Sequence, residues 1–257
     1  MLKVALTQMN IAWEESETNK KMCHKFVEEA SKQKADLILF PEMTLSGFSM
    51  DVEKIKDKEG ETLAFFSKLA REYRIAIGFG YVTQPDEKGR NHFAVVDAYG
   101  DIKMDYIKIH PFTYGGEDQV YTGGDRLGTF TWKSWNCAGF ICYDLRFPES
   151  FQKIEDRDVI FVIANWPEKR VRQWDALLRA RAIEMQCYVV GVNRIGAGGG
   201  LDYVKSSVAY DPMGEVVVPN GDGNAPLFYV TLDRQLRQKY IQAFPVRRDR
   251  RKGFDYE

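Results

Sequence analysis

The chain has 257 residues, with 36 Lys plus Arg against 37 Asp plus Glu and a formal net charge of -1. So balanced a charge leaves no broad basic footprint, which argues against general nucleic-acid binding. No apolar run reaches bilayer-spanning length, and the short apolar start soon gives way to polar sequence, so neither a membrane protein nor a secretory leader is expected. Cys23, Cys137, Cys142 and Cys187 form no close pair of the kind that holds zinc. They read as reduced thiols of a cytoplasmic protein. No glycine-rich dinucleotide or phosphate loop is present, and neither a cofactor nor a metal is expected.

Residues 3–9 carry Val4, Ala5, Leu6 and Met9 and predict a mostly buried strand. Beyond Glu17 the period lengthens, with Met22, Phe26, Val27 and Ala30 at helical spacing between charged residues. Residues 36–40 predict a second strand, stopped by Pro41, with Glu42 at its carboxyl end. A helix follows with Leu63, Phe66, Leu69, Ala70 and Tyr73 on one face. The strand expected over residues 75–82 contains glycines that suit close approach of another backbone. Asp86-Glu87-Lys88-Gly89 reads as a turn before strands at 92–98 and 102–109.

Residues 110–128 mix aromatic, glycine and acidic residues without a period, and predict an ordered loop able to wall a pocket. Strands are expected at 130–132, 136–142, 158–165 and 187–192, a short helix at 147–154 and a longer one at 171–185. Gly196 to Gly200 reads as a flexible turn, and residues 207–210, 215–218 and 227–232 as a closing meander. Strands alternating with a few long helices predict an α/β layered fold, one domain over residues 1–257, with helices on the outer faces of its sheets. The basic run from Val246 to Lys252 reads as a solvated tail or an arm on a partner subunit.

Glu42, Lys108 and Cys142 all stand at or near the ends of predicted strands, where α/β sheets commonly bind ligands. If they meet, their chemistry is complementary: Glu42 removes the thiol proton, Lys108 offsets negative charge, and the thiolate attacks an amide or nitrile carbon. Each also has a plain structural reading. Cys142 could be a small core residue, Glu42 a helix cap or ion-pair partner, Lys108 an edge-strand surface residue, and Glu117 a solvated loop carboxylate. A Cys-His pair is the competing arrangement, with His110 better placed for it than His24 or His92.

These segments together resemble the carbon-nitrogen hydrolases of the nitrilase superfamily, over nearly the whole chain. Phe40-Pro41-Glu42 is similar to that family's glutamate motif, Tyr106-Ile107-Lys108-Ile109-His110 to its lysine motif, and Cys142-Tyr143-Asp144-Leu145-Arg146-Phe147-Pro148-Glu149 to its cysteine motif. The resemblance implies a four-layer αββα sandwich, a Glu42-Lys108-Cys142 triad, and Glu117 as a second glutamate supporting lysine and substrate. It also implies a homodimer, with the segment 240–257 as a dimer-contacting extension.

Within the family, Ala164-Asn165-Trp166-Pro167 and the run from Trp174 to Glu184 resemble the omega-amidase group. That implies hydrolysis of the terminal amide of small α-keto acid monoamides, 2-oxoglutaramate and 2-oxosuccinamate, by way of a cysteine thioester and water. Arg146 and Arg170 are candidates for the substrate carboxylate, although Arg146 also reads as paired with a carboxylate that holds its loop. Phe112, Tyr114, Tyr143 and Trp166 are candidate apolar walls. An N-carbamoyl amino-acid amidohydrolase, a deaminated-glutathione amidase and a non-catalytic binding protein on the same scaffold remain as alternatives.

Overall fold

The computed structural model describes residues 1–154 and 156–249. The chain opens with β1 (Leu2–Thr7), α1 (Ser16–Lys32) and β2 (Leu37–Leu39), then a single turn α2 (Val52–Ile55), α3 (Glu61–Tyr73), β3 (Ala76–Thr83), β4 (Arg90–Val96) and β5 (Ile102–Ile107). A short α4 (Glu117–Val120) lies within the segment read as a loop, followed by β6 (Gly128–Trp132) and β7 (Trp135–Ile141). Then come α5 (Pro148–Lys153), β8 (Val159–Ala164), α6 (Val171–Met185), β9 (Tyr188–Asn193) and the hairpin β10 (Gly196–Gly198) and β11 (Leu201–Tyr203). The last elements are β12 (Val208–Tyr210), β13 (Leu227–Leu232) and α7 (Arg234–Ala243).

Among the described residues two large sheets form, in the orders β13-β1-β2-β3-β4-β5 and β12-β9-β8-β7-β6, beside the two-stranded β10-β11. Alternation along the strands assigns their faces, because successive side chains point to opposite sides. Leu2, Val4 and Leu6 of β1 and Phe93 and Val95 of β4 join Phe140, Val162 and Val190 in the core between the sheets. Ala5, Ile77, Phe79, Ala94 and Val96 face the other way and pack on Cys23, Val27 and Ala30 of α1 and Phe66 and Leu69 of α3. On the second sheet, α6 buries Trp174, Leu178, Ala182 and Met185. Gly191 of β9 admits that helix, since a Cβ there would lie 2.4 Å from Leu178 Cδ1 and 2.7 Å from Trp174 Cζ2. The result is the αββα sandwich, and each fully buried large apolar side chain in it contributes about 1.5–3 kcal/mol.

The expected closing meander does not form. β12 pairs antiparallel with β9 in the second sheet, whereas β13 crosses to pair antiparallel with β1 in the first. Residues 215–218 contribute a single bridge, Val216 to Tyr210, rather than a strand. Gly196 and Gly198 belong to β10, paired with β11 through Ala197 and Asp202, rather than to a loose turn. The unforeseen α7 is held by Arg237, which donates from Nη1 to Asp158 Oδ1 at 3.0 Å and from Nε to the Gln186 carbonyl at 3.0 Å. Arg247, in the basic run, turns onto its own chain, donating to the Met185 carbonyl at 3.2 Å. The part of that run from Arg250 to Lys252, like the rest of the proposed extension to residue 257, lies outside the described residues.

Candidate active site

Glu42 stands just past β2, where the chain turns through Met43 with a left-handed φ of 46°. Gly80 on β3 makes room for that turn: a Cβ there would lie 2.4 Å from Met43 N and 2.9 Å from Glu42 Cα. Thr44 fastens the turn, its N–H donating to the Gly80 carbonyl at 3.0 Å and its hydroxyl accepting from Gly80 N at 3.0 Å. Lys108 immediately follows β5, its backbone N–H donating to the Asn91 carbonyl of β4 at 2.9 Å. Glu117 enters from the first residue of α4.

These three side chains meet in the interior. Lys108 Nζ donates to Glu117 Oε2 at 2.7 Å and to Glu42 Oε1 at 3.1 Å. Asn91 Nδ2 bridges the carboxylates, donating to Glu42 Oε1 at 2.8 Å and to Glu117 Oε1 at 3.0 Å. Glu117 Oε2 also accepts from Phe112 N at 2.6 Å, and Glu42 Oε2 accepts from Asn165 N at 2.9 Å. Every carboxylate oxygen therefore has a donor, which buried charge requires. Asn165 also donates from Nδ2 to the Glu42 carbonyl at 2.6 Å, tying the second sheet to the first.

Cys142 directly follows β7 with a left-handed φ of 45°, a conformation that costs a residue with a side chain about 1–3 kcal/mol and is held by its surroundings. The chain then runs into a 3₁₀ turn, Cys142–Arg146. Asp144, fully buried, fixes that turn: Oδ2 accepts from Ile141 N at 3.1 Å and from the Tyr106 hydroxyl at 2.8 Å, while Oδ1 accepts from His110 N at 3.0 Å. The same Oδ1 lies 2.8 Å from His110 Nδ1. His110, the candidate partner for a Cys-His pair, is thus committed to Asp144 and stacked on Phe147 at 3.9 Å.

Burial pushes the Cys142 thiol well above its ordinary range; Glu42 pushes it further and Lys108 opposes it. The thiol is therefore protonated at neutral pH, and a nucleophilic role for it requires a base. For Lys108, burial disfavours the ammonium, but the Glu117 and Glu42 carboxylates outweigh it and hold the pKa above its usual value. Burial raises Glu117, with Lys108 pulling the other way.

Cys142 is half-buried and opens on a cavity of about 40 Å³. Phe48, Phe112, Tyr143, Trp166, Leu201 and Tyr203 form its apolar walls, and Arg146 and Arg170 also line it. Space on that scale admits a small substrate in place of a few waters. Among the sequence-stated wall residues, Phe112, Tyr143 and Trp166 are in place, but Tyr114 is 86% exposed and lies outside the cavity. Its ring lies 5.9 Å from that of Phe112. Among the described residues, the carboxylate expected for Arg146 is not there either. Its Nη2 donates to the Gln173 amide oxygen at 2.6 Å, and its guanidinium lies 4.8 Å from the Trp166 ring centroid. The Arg170 guanidinium lies 5.4 Å from the Phe112 ring centroid.

Asn91, Asn165, Asp144, Phe48, Leu201 and Tyr203 were not foreseen as site residues. A polar Asn beside a strand start and an Asn inside the Asn165-Trp166-Pro167 run were the only sequence signals for the two amides. Among the described residues, no group of three or more His, Cys, Asp or Glu side chains is arranged to hold a metal, and no helix is long and apolar enough to cross a membrane.

Two stacked sheets with helices outside, and a cysteine beside a buried carboxylate-lysine cluster at the strand ends, define the architecture of a thiol hydrolase. The chain belongs to the carbon-nitrogen hydrolase family, whose model matches residues 3–242. It is 32% identical over 249 residues to the omega-amidase YafV of Yersinia enterocolitica, covering 96% of each chain. It is 29% identical over 254 residues to the 2-oxoglutaramate amidase of Bacillus subtilis strain 168, covering 97% of each. In structure it is similar to a CN-hydrolase superfamily protein of Xanthomonas campestris crystallised with an arsenic adduct in its active site. That likeness has a TM-score of 0.91 at 29% identity, and covers 99% of this chain and 98% of that one.

Proposed function

We propose that this chain is an omega-amidase, hydrolysing the terminal amide of small α-keto acid monoamides such as 2-oxoglutaramate or 2-oxosuccinamate to the dicarboxylate and ammonia. The observation that carries this reading is the cavity over Cys142. Its walls are apolar, it is small, and it carries Arg146 and Arg170, neither of which has a carboxylate within ion-pair distance among the described residues. Such a cavity suits a short chain with an amide at the cysteine end and a carboxylate at the other. The names of the Yersinia and Bacillus relatives support the same substrate class.

In this reading Glu42 takes the proton of the Cys142 thiol as Sγ attacks the amide carbon. The oxyanion is met by the Lys108 ammonium and by the Tyr143 backbone N–H at the open start of the 3₁₀ turn. Glu42 returns its proton to the leaving nitrogen, ammonia departs, and a thioester remains on Sγ. Water, deprotonated by Glu42, attacks that thioester, releasing the carboxylate product and restoring the thiol. Glu117 and Asn91 hold Lys108 and Glu42 in register and do not exchange protons with substrate.

We place the protein in the cytoplasm, where its four unpaired cysteines suit a reducing compartment. We also propose that it works as a homodimer through the segment 240–257, where Phe244 and Val246 expose apolar side chains. The test of function is ammonia release from a panel of 2-oxoglutaramate, glutamine, an N-carbamoyl amino acid and deaminated glutathione, with Cys142→Ala as the control. Preference for 2-oxoglutaramate is expected. Turnover of the carbamoyl substrate alone would assign another carbon-nitrogen hydrolase, and no turnover by the folded protein would assign a binding role.

A further inference from the structure

Arg194, directly after β9, is fully buried, and none of its recorded partners is a carboxylate. Its Nη2 donates to the Ile11 and Ala197 carbonyls, both at 2.9 Å, and its Nε to the Ile195 carbonyl at 3.3 Å. Nη1 is buried with no hydrogen-bond partner among the described residues. Burial lowers the pKa of the guanidinium, yet a group that starts so high stays charged. A buried cation compensated only by carbonyl dipoles is costly, and such groups are retained for a reason that packing alone does not give.

The position of Arg194 points to that reason. Ala197 and Gly198 belong to β10, and a Cβ on Gly198 would lie 2.6 Å from Nη1, so the guanidinium is seated directly under the hairpin. Tyr203 ends β11, and its ring centroid lies 4.6 Å from the guanidinium. Tyr203 also lines the cavity, with Cys142 and Arg170. Lys108 is ion-paired with Glu42 and Glu117, whereas Arg146 and Arg170 line the cavity itself. The hairpin wall of the cavity, Leu201 and Tyr203, is thus apolar at its surface and backed by a buried cation, whose field in a low-dielectric interior reaches a polar ligand beyond it.

We propose that Arg194 is a positioning residue that determines substrate choice: it fixes Tyr203 and the β10–β11 hairpin as one wall of the cavity and, through its uncompensated charge, favours substrates carrying a carboxylate at that wall. This inference rests on the omega-amidase reading and extends it to a residue that touches no reacting atom.

The experiment compares kcat/KM for 2-oxoglutaramate with that for 4-oxopentanamide, which has a methyl in place of the carboxylate. The enzymes are wild type, Arg194→Met and Arg194→Lys, with folding checked by circular dichroism. Arg194→Met is expected to reduce the preference for the anionic substrate about tenfold, mostly through KM. Arg194→Lys is expected to lose activity on both substrates while retaining most of the preference. If Arg194→Met does not fold, Arg194→Gln, which keeps donors for the carbonyls but no charge, carries the same expectation. Equal losses on both substrates in the uncharged variant would overturn the proposal, as would Arg194→Lys losing the preference as completely as Arg194→Met. A wild type with no preference for the anionic amide would sink the omega-amidase reading and this inference with it; a wild-type preference that the variants leave unmoved overturns this inference alone.

Discussion

The Tyr106 hydroxyl donates to Asp144 Oδ2 at 2.8 Å, and this contact joins the strand that leads to Lys108 to the turn that carries Cys142. Tyr106 is a β5 residue two positions before Lys108, and Asp144 lies two positions after Cys142. Both are buried. The separation of lysine and cysteine is thus set by a charge-assisted hydrogen bond between the two sheets rather than by packing alone.

Tyr106→Phe removes that donor while leaving Asp144 its bonds from Ile141 and His110. The loss of one partner of a buried carboxylate costs about 1–3 kcal/mol. Steady-state kinetics should give a kcat about tenfold lower with KM nearly unchanged, because Tyr106 does not line the cavity. A raised KM at wild-type kcat would contradict the assignment.

Gly80 and Gly78 offer a paired test on one strand. An added Cβ at Gly80 meets the backbone of Glu42 and Met43, whereas at Gly78 the nearest atom is the Leu39 Cδ2 tip, at 2.6 Å. Backbone cannot yield as a side-chain end does. Gly80→Ala should therefore displace Glu42 and lower kcat/KM by about 100-fold. Gly78→Ala should cost stability in a thermal melt with much less effect on rate. Equal rate losses would mean that Glu42 is not the group displaced.

Thiol labelling reads the state of Cys142. Its pKa is raised, by burial first and then by Glu42, so the thiolate is scarce at neutral pH and grows as pH rises. The rate of iodoacetamide labelling at Cys142, followed by peptide mapping, should still be climbing past the ordinary cysteine pKa of about 8.5. A plateau below that pH would indicate a preformed thiolate and a different activating partner.

Much of this site was legible in the sequence because Glu42, Lys108 and Cys142 sit where strands stop. Glu42 after Pro41, Lys108 at the end of an alternating run and Cys142 at the end of an apolar one are local signals, and the long helix read over 171–185 was found as α6. The parts that were not legible depend on contacts distant in sequence. The pattern of β12 and β13 reports burial on one face but not which sheet provides it, so the meander expected there is divided between two sheets. Tyr114 has the composition of a wall residue, but its exposure is decided by how the loop folds around Phe112. Asn91 and Arg194 find their partners in residues distant in sequence, and an Asn or Arg at a strand end carries no local mark of a buried partner.

The central claim is that Cys142 forms a thioester with the acyl part of an α-keto acid monoamide. Acid-quenched mass spectrometry of the enzyme turning over 2-oxoglutaramate tests it directly. The account predicts that the peptide containing Cys142 gains the mass of the substrate less ammonia, that hydroxylamine removes the adduct, and that Cys142→Ala abolishes both adduct and ammonia release. Ammonia release by Cys142→Ala at the wild-type rate, or an adduct on Cys23, Cys137 or Cys187 instead, would contradict it.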